Sequence, residues 1–152
     1  MICKWIKKLF KNRKKVVASP IFIPSNEVKW GKIETILLFK INTYRRENNL
    51  NELLMDDSHY NIAKIRSLSN AENGVITHNF FYSDVRDALA AIGIKTSAEN
   101  LGYRYKTANG LFNAWVKSEG HRSAMLGDWK YTGIKVALDK EGNTYYCQIF
   151  GK

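Results

Sequence analysis

The sequence predicts an α+β domain on three observations: helical segments with apolar periodicity from residue 33 to residue 120, a β-rich hairpin at the C-terminal end, and a composition able to fill one core. With 152 residues, 45% of them hydrophobic and 12% aromatic, the chain is sized for a single folded domain. Helices followed by an antiparallel hairpin suggest either an α+β or a three-layer arrangement.

Each element has its own signal. Ser25 or Asn26 can cap a long helix, in which Ile33, Ile36, Leu37, Phe39, Ile41 and Tyr44 form a dense apolar pattern. That helix is expected to stop at "ENNLNEL", where asparagines suit a C-terminal turn. A second helix opens at "DDSHYNIAKIRSLSNAEN" with acids in its first turn and ends at Asn73 and Gly74. "SDVRDALAAIG" reads as a third helix, capped by Ser83 and followed by Gly93, and "TANGLFNAWVKSEG" as a fourth that closes at Gly120. A strand is expected through "AENLGYRY". The final "YTGIKVALDKEGNTYYCQIFGK" places two β-rich runs around the turn sequence "DKEGN". No internal repeat or low-complexity segment interrupts this order.

Charge separates residues 1–26 from residues 27–152. The formal charge is +10, but the first 26 residues hold seven basic side chains and no acid, leaving the remainder nearly balanced at 17 basic against 14 acidic. Within that first segment Ile2, Trp5, Ile6, Leu9 and Phe10 recur at helical spacing with lysines on the other face. Two roles fit residues 1–15: a basic amphipathic helix on an anionic membrane surface, or a helix packed on the domain or a partner. Nucleic acid is an unlikely partner, because the body lacks the excess charge that phosphate binding uses. "ASPIFIPSNE" then reads as an extended linker, since Pro20 and Pro24 disfavour helix and remove backbone donors.

Several classes are disfavoured. The apolar runs are too short to span a bilayer as a helix. "VVASPIFIP" is short, broken by prolines and lacks a convincing small-residue cleavage site, so no clear signal peptide is expected. Cys3 and Cys147 lie at opposite ends of the chain, one in the basic segment and one in the strand-like "TYYCQIF", so a disulfide between them is not expected.

Three polar spots sit in apolar surroundings: His78 in "ITHNFF", Glu99 in "SAENLGY", and Ser118, Glu119 and His121 in "WVKSEGHR". Singly, each reads more readily as a hydrogen-bonded structural residue or a cap than as chemistry. Together, two imidazoles and a carboxylate permit two arrangements. They can share a divalent ion, zinc being suited to nitrogen and oxygen donors, with water completing the shell. Alternatively, Glu99 accepts a hydrogen bond from one imidazole and fixes its tautomer, leaving a polar cluster for a small ligand. No nucleophile elbow surrounds Ser118, which is expected to bond helix backbone near Gly120.

Order and spacing of these motifs resemble the CAP superfamily, or SCP domain, named for cysteine-rich secretory proteins, antigen five and plant pathogenesis-related proteins. The resemblance runs from about Ile33 to Gly151. "LLFKINTYRRENNLNEL" is similar to the family's opening helix with its Asn-x-x-Arg element, "IAKIRS" to the second helix, "THNFF" to the first histidine motif, and "AENLGY" to the Glu-Asn-Leu/Ile motif. "LFNAWVKSEGHRSAML" resembles the bacterial form of the Trp-x-x-Ser-x-x-His-Arg segment, and "YTGIKVAL" with "YYCQIFGK" the closing strands.

The resemblance implies an α-β-α sandwich with a central antiparallel sheet and a groove lined by two histidines and acids. His78 and His121 take the two histidine positions, which would be the metal ligands, and Glu99 takes the first acidic position. The second acidic position, three residues after the tryptophan in many eukaryotic members, is Ser118 here, as in the bacterial branch. Glu119 lies one residue further, a turn of about 100° on a helix, and is expected in solvent. His59 departs from the usual aliphatic residue and is expected to be a half-buried helix position and not a metal ligand. Arg122 is expected to face the helix end or solvent, and Gly120 to end the helix so that His121 points to the groove. No catalytic residue is assigned. The implied function is binding of a small lipid, glycan or peptide, with or without a divalent metal such as zinc, outside the cell or at its envelope. The alternative is a metal-assisted hydrolase of peptide or cell-wall material.

Overall fold

Every residue of Tyr145–Gly151 is buried, which on a strand of period two means that both faces of the sheet are covered. The computed structural model describes residues 31–79 and 85–152 and shows how. The described elements are α1 (Lys32–Glu47), β1 (Leu54–Met55), α2 (Asp57–Asn73), α3 (Arg86–Ala91), β2 (Ser97–Tyr103), α4 (Ala108–Lys117), α5 (Glu119–Met125), β3 (Tyr131–Leu138) and β4 (Thr144–Gly151). On one face Leu37 and Ile41 of α1, Leu111 and Trp115 of α4 and Met125 of α5 pack on Ile134, Tyr146 and Phe150. On the other, Ala63 of α2 and Leu89 of α3 pack on Leu101, Cys147 and Ile149. The outcome is the three-layer sandwich expected from the sequence.

The sheet order is β1-β3-β4-β2. β4 pairs antiparallel with both β2 and β3, but Leu54 and Met55 pair parallel with Tyr131 and Thr132. The sheet is therefore mixed, a correction to the antiparallel expectation. Two ladder-flanking bonds hold this short edge, from Leu54 N to Lys130 O and from Asp56 N to Thr132 O. A two-residue strand is too short to leave a periodic signal, and it exists only because β3 offers a partner.

α1 begins at Lys32 behind an extended Gly31, later than the Ser25 or Asn26 cap expected from the sequence; elsewhere short-range contacts set the element ends. Asp56 caps α2 by accepting from His59 N at 3.1 Å, and Gly74 ends it in the left-handed region at φ 63°. Thr107 caps α4 through Gly110 N, and Asp139 accepts from the amides of Glu141 and Asn143 in the hairpin turn. Ser25, Asn26 and Ser83, together with residues 1–26 and Cys3, lie outside the described residues; Cys147 is free and buried. Among the described residues no helix is long and apolar enough to cross a membrane.

One departure matters for the site. The helix expected to close at Gly120 breaks at Ser118, whose φ of −88° and ψ of 121° are extended, and α5 begins directly after it. Gly120 lies inside α5 and ends nothing. Arg122 clasps the break by donating to Val116 O at 2.8 Å, the helix-end position expected of it.

α2 sits unusually close to the sheet. A Cβ on Gly133 would fall on the backbone of His59 and Tyr60, so β3 and the first turn of α2 touch main chain to main chain. Gly133→Ala is therefore expected to destabilise the fold by about 3 kcal/mol or more, since neither backbone can yield locally. Urea unfolding followed by far-UV circular dichroism measures this, and a loss under about 1 kcal/mol would refute the close contact.

Candidate functional site

The groove is built where β2, the edge strand, meets the start of α5. Ser97, Ala98, Glu99 and Asn100 of β2 line it with His78, which follows α2, and with Ser118, Gly120 and His121 from the α4–α5 break. Its volume is about 340 Å³. The four residues singled out in the sequence, His78, Glu99, Ser118 and His121, thus converge on one cavity. His59 does not line it: it is 1% exposed, bonded to Asp56 at 2.6 Å, and packed against Gly151. Its environment is fully buried where the sequence suggested half-buried. Glu119 is exposed, as expected.

Glu99 is the electrostatic centre. Arg66 of α2 reaches it with two parallel bonds, Nε to Oε2 at 2.8 Å and Nη2 to Oε1 at 2.9 Å, and also donates to Thr77 O at 2.7 Å. His78 Nδ1 lies 3.0 Å from Oε1. Burial pushes the carboxyl upward, but the hydrogen bonds from His78 and Arg66 and their charges outweigh it and hold Glu99 below its usual range. An ionised carboxylate only accepts, so His78 Nδ1 carries a proton toward Glu99, and Nε2 is the ring nitrogen that the acid does not engage. The Glu99–His78 hydrogen bond is the contact by which the acid fixes an imidazole tautomer. The Cys147 thiol also approaches Oε2 at 3.5 Å, and burial with the nearby carboxylate raises it well above its ordinary value.

His121 is held differently. Its Nδ1 lies 2.9 Å from Ser118 Oγ, its ring stacks on Trp115 at 6.1 Å and 26°, and its carbonyl accepts from Asn100 Nδ2. Ser118 therefore bonds an imidazole and not the helix backbone that the sequence had suggested, because at the break its side chain points along the first turn of α5. Burial, and then the charge of nearby His78, lower the His121 imidazole below its usual value, so it is neutral at pH 7.

Arg66 was the functional neighbour that site reasoning passed over. A signal existed: it shares a buried helix stripe with Ala63, Ser67 and Asn70, where a guanidinium demands a counter-charge. Among the described residues no group of three or more His, Cys, Asp or Glu is arranged to hold a metal ion. The Glu99 side chain is 1% exposed and both of its oxygens are taken, so a groove ion would find two imidazole nitrogens and water.

This fold belongs to a known class. The model of the CAP, or cysteine-rich secretory protein, family matches residues 38–150, and the chain is a member of that family. It is 30% identical over 134 residues to the uncharacterized membrane protein YlbC of Bacillus subtilis, a match covering 84% of this chain and 38% of that protein. The uncharacterized protein YkwD of the same organism is 29% identical over 114 residues, covering 73% of this chain and 44% of YkwD. The chain thus spans less than half the length of either relative. Among solved structures, an outer surface protein of Borrelia burgdorferi superposes with a TM-score of 0.74 at 25% identity, covering 82% of this chain and 96% of that one. A cysteine-rich secretory protein from Staphylococcus aureus gives 0.65 at 26% identity, over 77% of this chain and 37% of that one.

Acid should loosen this site in two steps. Both Glu99 and His121 have lowered values in the folded chain, so the unfolded chain binds more protons on each, and stability rises with pH across those windows. On acidification, stability is expected to fall first below the ordinary histidine value of 6.5, and again below the ordinary glutamate value of 4.5. Denaturation midpoints from mildly alkaline to strongly acidic buffer measure it; with His121→Gln the upper step should disappear.

Proposed function

We propose that this chain is a non-enzymatic binding module of the CAP type, which holds a small lipid, glycan or peptide in the groove of His78, Glu99, Ser118 and His121 at a cell surface or envelope. One observation carries this reading. The groove's acid is locked to Arg66 and His78 with its side chain 1% exposed, so it is not placed to serve as a general base for an attacking water. What faces a ligand is a set of hydrogen-bonding groups: the two imidazoles, the Ser118 hydroxyl and strand backbone. Its similarity to a membrane protein of Bacillus subtilis and to an outer surface protein of Borrelia burgdorferi supports placement at the envelope.

A divalent ion fits this donor set weakly. His78 and His121 would hold it through Nε2, and zinc is suited to such nitrogens, but two protein ligands are fewer than structural or catalytic zinc sites use. When bound, the ion would add a Lewis-acidic grip on a ligand oxygen. The protein's own residues orient both rings whether or not it is there.

Two experiments test the proposal. Fluorescence titration with a panel of fatty acids, cell-wall fragments and short peptides should find a saturable ligand whose affinity drops about tenfold or more in His121→Ala, the loss expected for a direct hydrogen-bonding contact. Chelator-sensitive hydrolysis of any panel member, abolished in a folded His121→Ala protein, would instead establish the metal-assisted hydrolase. For the surface placement, removal of residues 1–24 should abolish cosedimentation with anionic liposomes at low salt, and unchanged binding would exclude that segment as the anchor.

A further inference from the structure

β2 is the last strand of the sheet, and its outer edge forms the floor of the groove. The direction of its backbone groups follows from the ladder. Arg104 N donates to Thr144 O and Lys152 N to Thr96 O, so the even-numbered residues turn their amides and carbonyls toward β4. The odd-numbered residues 97, 99 and 101 therefore turn theirs outward. Leu101 O is already satisfied, by Trp115 Nε1 at 2.9 Å. The N–H and C=O of Ser97 and Glu99 remain, and no hydrogen bond takes them among the described residues. Exposure agrees: Glu99 as a residue is 8% exposed while its side chain is 1% exposed, so what it shows to the groove is chiefly main chain.

We propose that the ligand of this groove is an extended peptide that adds as an extra strand to the outer edge of β2, exchanging main-chain hydrogen bonds with Ser97 and Glu99 between the banks formed by His78 and His121. The proposal rests on the binding-module reading above and narrows it to one ligand class. Alternate residues of a strand are roughly 6.7 Å apart, so the four free groups repeat as donor and acceptor pairs at the spacing of residues j and j+2 of an extended chain. An acyl chain has nothing to offer this ladder, and sugar hydroxyls do not repeat at that interval. A second copy of the protein fits poorly, because its own β2 edge is recessed between the same two banks. Main-chain pairing makes recognition tolerant of sequence, with His78, Ser118 and His121 left to select side chains at the rim.

The test uses the full chain labelled with nitrogen-15 and the blocked peptide acetyl-Thr-Val-Thr-Val-Thr-amide as probe. Binding should move the Ser97 and Glu99 amide protons downfield and slow their exchange. Single N-methylation along the peptide should weaken binding about tenfold at every second amide and leave the intervening ones unaffected. Ser97→Pro removes one outward N–H without touching the ladder to β4, and should weaken the peptide by a similar factor while far-UV circular dichroism is unchanged. Shifts confined to the rings of His78 and His121, or indifference to N-methylation, would overturn strand addition. Saturable binding of a fatty acid or cell-wall fragment without binding of the peptide would also overturn it, yet leave the binding module standing. Failure of every probe would sink both. A concentration-dependent dimer that the peptide dissolves would give the edge to a second copy instead.

Discussion

The bidentate pair between Arg66 and Glu99 is the constraint on which the groove depends. It ties the middle of α2 to the edge strand, and both partners are almost wholly withdrawn from water. Two charges in such a place are tolerable only if geometry is good and the remaining hydrogen-bonding capacity is used. Here Arg66 also serves Thr77 O, and Glu99 also takes the His78 proton. Position and tautomer of His78 are thus consequences of an ion pair that is itself withdrawn from the groove opening. Either partner alone would be an uncompensated buried charge, which explains why the acid of the groove is structural in its contacts.

The sheet fixes the rest. β4 is enclosed on both faces, β3 holds α2 at backbone contact through Gly133, and β2 is left as the outer rail. A second guanidinium works in a similar way on the other layer: Arg45 of α1, 1% exposed, donates to the carbonyls of Asn51, Met125 and Gly127 and so fixes the far end of α5. α5 is held at its C-terminal end by Arg45, at its start by Arg122 and through the His121 carbonyl by Asn100. A seven-residue helix would not be stable in isolation; these clasps are what let it present His121 at a fixed place.

Most of the architecture was legible because local chemistry and global fold agree. Asp56 and Gly74 bracket α2, Asp139 shapes the hairpin, and the ordered histidine and glutamate motifs point to one groove. The misses share a cause, which is dependence on partners distant in sequence. β1 exists by pairing with β3, far along the chain. The break at Ser118 is stabilised by Arg122 and by the pull of its hydroxyl toward His121, and a propensity argument sees only a helix running to glycine. Alternation along β2 shows that Glu99 and its neighbours Ala98 and Asn100 point to opposite faces, but not which face carries the cavity.

The stacked rings of Trp115 and His121 have a consequence of their own. On an uninterrupted helix, residues six apart point about 240° from each other, so only the break at Ser118 lets indole and imidazole meet. A proton or a ligand arriving at that imidazole changes the charge and polarity beside the indole face. Among the described residues, Trp115 is therefore the indole whose local environment is tied to the state of the His121 ring.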